Sequence, residues 1–361
     1  MNIERRYFTE PWDPHRFRIA LTADFFREDG ELVQPDVGLS VIGEATYIDV
    51  AAFPNNEKIL QPQQIGTAQG VIVRSPRVTA ASVETADNLL AIARFGVGYD
   101  SVDVGACTNA DVAVFITPGA VDRPVAEATL CWMLALSHKL RIKDRLVREG
   151  RWRESRYHIG WEIRDRTLGI VGLGRIGRAV AAIVAGLGMK QTLTFDPWIE
   201  PGVAEKAGVK LVSLDELLRE SDFVSLHVPL TDETRNLIGR RELSLMKPEA
   251  FLLNLARGGV VDEDALYDAL KQGRIAGAAL DVFVGEPLSE PSRFGEFDNV
   301  LLAPHAIAVT REHGRDIGRM AFQGMVDLTR GNVPPGIVNR DVLDRPGFQA
   351  KWKRLREQLV V

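Results

Sequence analysis

Cysteine is scarce in this chain of 361 residues: only Cys107 and Cys131 occur, and they form no CxxC pair. That excludes a disulfide scaffold and a cysteine-rich zinc site, and it suits the cytoplasm. No metal is expected. Basic charge is not in excess either, since 44 Lys and Arg against 49 Asp and Glu leave a formal net charge of -5. A nucleic-acid binder usually carries a basic face, so no nucleic-acid partner is expected. A small anionic ligand stays open, because a few local arginines matter more than the total. No apolar run reaches the roughly 18–20 residues of a membrane span, which leaves no membrane partner. The opening MNIERRYFTEPWDPHRF is charged and broken by prolines, without the apolar centre of a secretory signal. There is no internal repeat and no low-complexity tract. What is present is ordinary for a soluble protein, 45% hydrophobic and 26% charged, and long enough for two domains.

Short apolar runs alternate with polar helical stretches. RIALT (18–22), TYIDV (46–50), GVIVR (70–74), LLAIA (89–93) and VAVFI (112–116) read as buried strands. Between them TAASVETAD (79–87) reads as a short helix capped by Thr79. Strands alternating with helices imply parallel sheets. The stretch 125–150 reads as one long helix ended by Gly150, carrying the chain between domains. Its early face, with Leu130, Trp132, Met133 and Leu134, is apolar almost all round. Domain core accounts for such a face; so does a subunit interface, which we favour because a helix this apolar needs cover on more than one side. Seven more strands follow: TLGIV, TLTF, VKLV, FVSLH, AFLLN, AGAALD and VLLA, short and without clean alternation, as expected of strands buried on both faces. A second long helix, 310–331, stops at Gly331 and leads back to the first domain.

In an open parallel sheet, ligands bind beyond the carboxyl ends of the strands. After TLGIV stand Gly172, Leu173, Gly174, Arg175, Ile176 and Gly177, a GxGxxG turn that opens a helix. Such a turn lets backbone amides approach a pyrophosphate, and the helix start favours its charge. Asp196, closing TLTF, supplies a carboxylate for an adenosine ribose and would repel the 2′-phosphate of NADP, so the expected cofactor is NAD. Later strand ends bring Arg257 after AFLLN, Asp281 and then Glu286 after AGAALD, and His305 after VLLA. Each alone has an ordinary explanation as a surface ion pair, a loop acid or a core imidazole. Together, at the edge that holds the cofactor, they form the set that hydride transfer between NAD and a 2-hydroxy or 2-keto acid needs. A guanidinium holds the substrate carboxylate. An imidazole moves a proton to or from the substrate oxygen. A carboxylate orients the imidazole. We therefore expect Arg257 as clamp, His305 as acid/base and Glu286 as its partner.

With these residues the chain resembles the D-isomer-specific 2-hydroxyacid dehydrogenases over about residues 70 to 340, most closely in its phosphoglycerate dehydrogenase-like branch. Three stretches carry the resemblance: LGIVGLGRIGRAVAAIVAGLGMKQTLTFD (168–196), LLRESDFVSLHVPLTDETRNLIG (217–239) and MKPEAFLLNLARGGVV (246–261). It implies two Rossmann/flavodoxin-like parallel-sheet domains with the active site in the cleft between them, usually in a homodimer. The expected division is 1–119 plus 309–361 for the substrate-binding domain and 120–308 for the NAD-binding domain. The resemblance also implies catalytic roles for Arg257, Glu286 and His305. It implies cofactor contacts at Arg175, Ile176, Asp196, Val228, Pro229, Ala256 and Asp281. RFGVGYDSVD (94–103) matches the loop whose amides at Val97 and Gly98 bind the substrate carboxylate. VIVRSP is similar to a stretch of phosphoglycerate dehydrogenases that would put Arg74 and Ser75 near an anionic substrate. His227 matches a position that is not catalytic, with a structural or cofactor-side role. The chain departs from the family pattern at Glu249 and at Ile307, where a small residue is common, and its first 60 residues match only loosely. It has no room for the regulatory serine-binding domain of some relatives.

The implied activity is that of an NAD-dependent D-2-hydroxyacid dehydrogenase of the phosphoglycerate or hydroxypyruvate/glyoxylate type, acting on a CH–OH group. Two other readings use the same residues. A formate dehydrogenase of the superfamily carries Gln where Glu286 stands, so Glu286 favours acid/base chemistry; phosphite oxidation escapes that objection. A non-catalytic NAD(H)-sensing corepressor would keep the same residues without turnover.

Overall fold

The structure is a computed structural model that describes residues 13, 15–43 and 45–359. The N-terminal stretch without a secretory pattern lies largely outside them. By its internal contacts the chain forms two units, one of Met1–Val121 with Thr310–Val361, the other of Asp122–Val309.

The first unit is built on β1 (Phe17–Leu21), β2 (Ile48–Ala52), β3 (Gly70–Val73), β4 (Ala91–Arg94) and β5 (Ala113–Phe115), with short helices α1 (Pro62–Ile65), α2 (Ala80–Val83) and α3 (Val104–Asn109) between them. The strands pair in the order β2-β1-β3-β4-β5, and every pairing is parallel. FRIAL and GVIV are buried at every position, which is why these runs lack alternation. Thr79 caps α2 as expected, its backbone N–H donating to Ser82 Oγ at 3.0 Å. β2 begins two residues later than expected, because Phe17 pairs with Ile48. Tyr47 just before it sends its hydroxyl to Thr329 Oγ1, 3.1 Å away.

The second unit opens with α4 (Asp122–Ser137) and α5 (Leu140–Arg148), not with one long helix. The break falls at Lys139, which takes a left-handed φ of 52°. It frees the Ser137 carbonyl to accept from Trp161 N at 3.0 Å. Trp161 then stacks on Phe251 with ring centroids 5.5 Å apart. The apolar face of α4 divides. Trp132 and Met133 are buried in the core beneath the sheet, while Leu134 is exposed, so core packing accounts for most of that face. All seven expected strands form: β6 (Thr167–Val171), β7 (Gln191–Phe195), β8 (Lys210–Leu211), β9 (Phe223–Leu226), β10 (Phe251–Asn254), β11 (Gly277–Leu280) and β12 (Val300–Leu302). Helices α6 (Arg175–Val184), α7 (Pro201–Lys206), α8 (Leu214–Glu220), α9 (Arg240–Leu245) and α10 (Glu263–Lys271) connect them. The order is β12-β11-β10-β9-β6-β7-β8, again wholly parallel. Two α/β units with parallel sheets are thus the observed architecture.

The chain returns to the first unit through α11 (Arg311–Thr329) and ends on α12 (Pro346–Gln358), a helix not anticipated from sequence. Its buried Phe348, Trp352 and Leu355 have helical spacing, but the charged residues between them mask the pattern. Buried Asn339 pins the returning chain to β5. Its Oδ1 accepts from Val114 N at 2.8 Å and its Nδ2 donates to Val112 O at 2.9 Å. A buried amide fully engaged in this way stabilises the join, whereas an unpaired one would cost about 1–3 kcal/mol.

Candidate active site

Because all seven strands of the second unit run the same way, their carboxyl ends share one edge. Read along that edge from β12 to β7, the residues just beyond the strands are His305, Asp281, Arg257, His227, Gly172 and Asp196. The topology alone therefore gathers the glycine turn and the side chains expected at the site along one edge.

The turn after β6 is shaped by close approach. Gly172 has φ +93°, and a Cβ there would lie 2.7 Å from the His227 carbonyl oxygen. A Cβ at Gly177 would lie 2.2 Å from Gly172 O, whereas one at Gly174 would meet nothing within 4 Å. Two glycines thus pack the turn tightly while the third leaves its backbone open to a ligand. Asp196, half-buried past β7, accepts from Leu173 N at 2.9 Å and from Trp198 N at 3.0 Å. Its carboxylate is fixed beside the glycine turn, where a ribose would lie. Arg175 starts α6 and its Nε donates to Asp122 at 2.9 Å. An open turn, a helix start and a fixed acid fit a bound dinucleotide. Ile176 and Val228 are half-buried, Pro229 is exposed and Ala256 buried, all close in sequence to these strand ends. Among the described residues no His, Cys, Asp and Glu cluster could hold a metal.

His305 and Glu286 are in contact, with Nδ1 and Oε2 2.6 Å apart. A carboxylate accepts only, so Nδ1 carries the hydrogen, and Nε2 is the ring nitrogen that Glu286 does not bond. The other oxygen of Glu286 accepts from Phe283 N at 2.6 Å, which fixes the carboxylate. The His305 side chain is about half exposed. Its backbone has a φ of 54°, a left-handed conformation that costs a non-glycine residue roughly 1–2 kcal/mol. Asp281 holds it there. The Asp281 carbonyl accepts from His305 N at 2.7 Å. The Asp281 carboxylate accepts from Ala306 N at 2.8 Å and Ile307 N at 3.1 Å. Burial pushes the Asp281 carboxyl above its usual range and the two amides partly offset that. Asp281, expected at the cofactor, is therefore also the anchor of the histidine loop.

Arg257 is placed by a residue that sequence reasoning passed over. Asn254, buried at the end of β10, donates from Nδ2 to Arg257 O at 3.0 Å and accepts Ala256 N on Oδ1 at 3.1 Å. The Arg257 Nη1 donates to Ala256 O at 2.7 Å. Next in the chain, Gly258 passes so close to the following loop that a Cβ would lie 2.0 Å from Phe283 O. The arginine loop and the Glu286 loop are thereby packed together. Glu263, at the start of α10, accepts from Val284 N at 2.7 Å, and burial pushes its carboxyl up. The signal for Asn254 was a polar side chain closing an otherwise apolar strand; for Glu263 there was none.

In the first unit, Val97 and Gly98 lie half-buried past β4, where Arg94 Nη1 donates to Phe95 O at 2.7 Å. Arg74 donates to the Asp24 carbonyl at 2.8 Å, and Ser75 is exposed.

His227 is tied to Ser225, its Nε2 2.8 Å from the hydroxyl. Burial lowers its pKa to about 4, so the ring is neutral at pH 7. Relative to the ordinary 6.5, the unfolded chain takes up this proton first. The contribution to stability is complete above pH 6.5 and is lost as pH falls toward 4, about 3 kcal/mol over that interval. Urea midpoints at pH 7 and pH 4.5 should therefore converge in His227→Asn relative to the parent; an unchanged gap would place the acid sensitivity elsewhere.

Comparison with known proteins agrees with this geometry. The profile of the "D-isomer specific 2-hydroxyacid dehydrogenase, NAD binding domain" matches residues 130–306. A glyoxylate reductase from Korarchaeum cryptofilum is 40% identical over 324 residues, covering 87% of this chain and 97% of that protein. The chain belongs to the D-isomer specific 2-hydroxyacid dehydrogenase family. As a member of that family it is an NAD-dependent oxidoreductase acting on the CH–OH group of a 2-hydroxy acid, and its second unit is the NAD-binding one. Another family member, a D-3-phosphoglycerate dehydrogenase from Archaeoglobus fulgidus, is 36% identical over 327 residues. That match covers 90% of this chain and 58% of the longer enzyme. Among solved structures of 2-hydroxyacid dehydrogenases, the D-lactate dehydrogenase from Aquifex aeolicus with NAD and lactic acid aligns with TM-score 0.76 at 27% identity. The alignment spans 89% of this chain and 98% of that one.

Proposed function

We propose that the enzyme interconverts a 2-keto acid and a D-2-hydroxy acid, with Arg257, Glu286 and His305 doing the protein's share of the chemistry. The observation that carries this is the 2.6 Å contact between His305 and a carboxylate fixed from its other side. In the reducing direction His305 Nε2 gives a proton to the carbonyl oxygen, and in the oxidising direction it takes one from the hydroxyl. Arg257 holds the substrate carboxylate and polarises the carbonyl. In the first unit, the Val97 and Gly98 backbone amides are further donors suited to a carboxylate. Bound NAD supplies or accepts the hydride. Arg175, Ile176, Val228, Pro229, Ala256 and Asp281 line its site beside the Gly172–Gly177 turn. Glyoxylate reductases and phosphoglycerate dehydrogenases among the relatives support a small 2-keto acid as substrate.

A homodimer belongs to the same proposal. Leu134, Leu140, Val147, Trp152, Tyr157 and Ile159 are large apolar side chains left exposed within one stretch of the second unit, a surface that suits burial against a second copy. Two unpaired cysteines suit the cytoplasm; among the described residues no helix is long and apolar enough to cross a membrane.

The test is NADH oxidation with glyoxylate, pyruvate, hydroxypyruvate and 3-phosphohydroxypyruvate. Tight NADH binding with no turnover of any would favour a sensor over an enzyme. Asp196→Ser should bring NADPH into use, narrowing the NADH to NADPH preference at least about tenfold, since the repelling charge is gone. The affinity for NADH should fall as well, because Leu173 N loses its acceptor. An unchanged cofactor ratio would remove Asp196 from the ribose site.

A further inference from the structure

The loop that carries Glu286 has almost no packing of its own. Phe283 is buried, but from Val284 to Pro291 every residue is exposed. Apolar burial therefore does not set the course of this loop. Two hydrogen bonds stand at its start. Glu286 reaches back to Phe283 N at 2.6 Å, a tie inside the loop that moves with it. The next amide, Val284 N, donates to Glu263 Oε1 at 2.7 Å, a tie to an element outside the loop. That element is firm. Asp262 caps α10 by accepting from Asp264 N and Ala265 N, each at 3.0 Å, and the buried Ala265, Leu266, Ala269 and Leu270 seat the helix. The far end of the loop is tied to the same helix start, where Arg293 Nη1 donates to Asp264 at 2.6 Å. Exposure separates the two ties. The Asp264 side chain is 85% exposed and that of Arg293 43%, so water screens the pair and it holds little. Glu263 is half-buried, and burial pushes its carboxyl up, so its bond to Val284 N is shielded from competing water.

We propose that Glu263 is a positioning residue for proton transfer: from the start of α10 it fixes the turn that sets the Glu286 carboxylate against His305. This rests on the reading above in which Glu286 and His305 form the acid/base pair. The effect of Glu263 passes along the backbone from Val284 to Glu286, and from Glu286 Oε2 to His305 Nδ1 across 2.6 Å. Gly285 lies between, with φ +81° and nothing within 4 Å of where a Cβ would stand. The Gly258 contact holds Phe283, and past that residue this open turn swings once Val284 is released, carrying Glu286 with it.

The experiment is a double-mutant cycle on kcat, with NADH and whichever of the four keto acids named above is turned over fastest. Glu263→Ala should lower kcat about tenfold while the Kd for NADH changes by less than about twofold. Misplacing a reacting group by an ångström can cost around a hundredfold, and Glu263 acts at one remove from it. Glu263→Gln, which keeps an acceptor oxygen for Val284 N, should restore most of the rate. In a Glu286→Ala background, Glu263→Ala should lower kcat by less than about twofold, because the group it positions is gone. Should Glu263→Ala not fold, Glu263→Asp takes its place; it keeps the charge and draws the acceptor back by about 1.5 Å, one carbon–carbon bond. A loss that recurs in full in the Glu286→Ala background makes Glu263 a structural residue and overturns the inference alone. So does an unaltered kcat without the Glu263 acceptor, or no rescue by Gln. If Glu286→Ala itself costs nothing, or none of the four acids is turned over, the acid/base reading falls and the inference with it.

Discussion

His305→Ala should lower kcat by about a hundredfold to ten-thousandfold, the range for removing a positioned acid/base, while the Kd for NADH changes by less than about twofold. The two readouts separate because of where the side chain stands. His305 is tied by its ring to Glu286 and by its backbone to Asp281, both on the loops beyond β11 and β12. The glycine turn is three strands away from β12's neighbour β11, counting through β10 and β9 to β6. Alanine removes the imidazole and keeps the three hydrogen bonds that Asp281 accepts from the backbone N–H groups of residues 305–307. Stopped-flow turnover and fluorescence titration of NADH on the same preparation decide it. If binding collapses together with turnover, the imidazole is a structural element of the unit and the acid/base assignment fails.

Gly258→Ala should be nearly as damaging although it removes no functional group. The added methyl would sit 2.0 Å from Phe283 O and 2.2 Å from Phe283 C, backbone atoms with no rotamer by which to yield. The two loops must part by more than an ångström. Overpacking of this kind costs about 1–3 kcal/mol of stability. The displaced segment carries Arg257 on one side and the amide that holds Glu286 on the other. Misplacement by about an ångström can cost around a hundredfold in rate, so kcat/KM should fall by about that factor. A thermal melt beside the kinetics distinguishes loss of folded protein from loss of alignment. Full activity with an unshifted melt would mean that the two loops are not held by this contact.

The strand ends were readable because parallel strands buried on both faces leave short apolar runs, and each run's next few residues then fall on a common edge. That reasoning set the Gly172–Gly177 turn, Asp196, Arg257 and His305 at the ends of strands, and the structure has them along one edge of the seven-stranded sheet. It failed where a local backbone choice decides the outcome. Lys139 breaks the expected long helix through a left-handed conformation that nothing in its sequence neighbourhood demands. Asn254 and Glu263 act by bonding backbone atoms of loops, a role that no spacing encodes. The register of β2 is fixed by its pairing partner rather than by its own residues. Trp132 and Met133 show the limit of composition: an apolar helix face does not by itself say whether a sheet or another molecule covers it.

The way the chain is threaded also divides labour. The turn for the dinucleotide and Arg257, Glu286 and His305 all lie within Asp122–Val309, an uninterrupted piece inserted into the other unit. Val97 and Gly98, proposed above as donors to the substrate carboxylate, lie in the flanking segments. On the roles proposed above, drift or recombination confined to the flanks alters which acid is accepted while the redox apparatus is inherited whole, and chimaeras joined at residues 121 and 310 test that division.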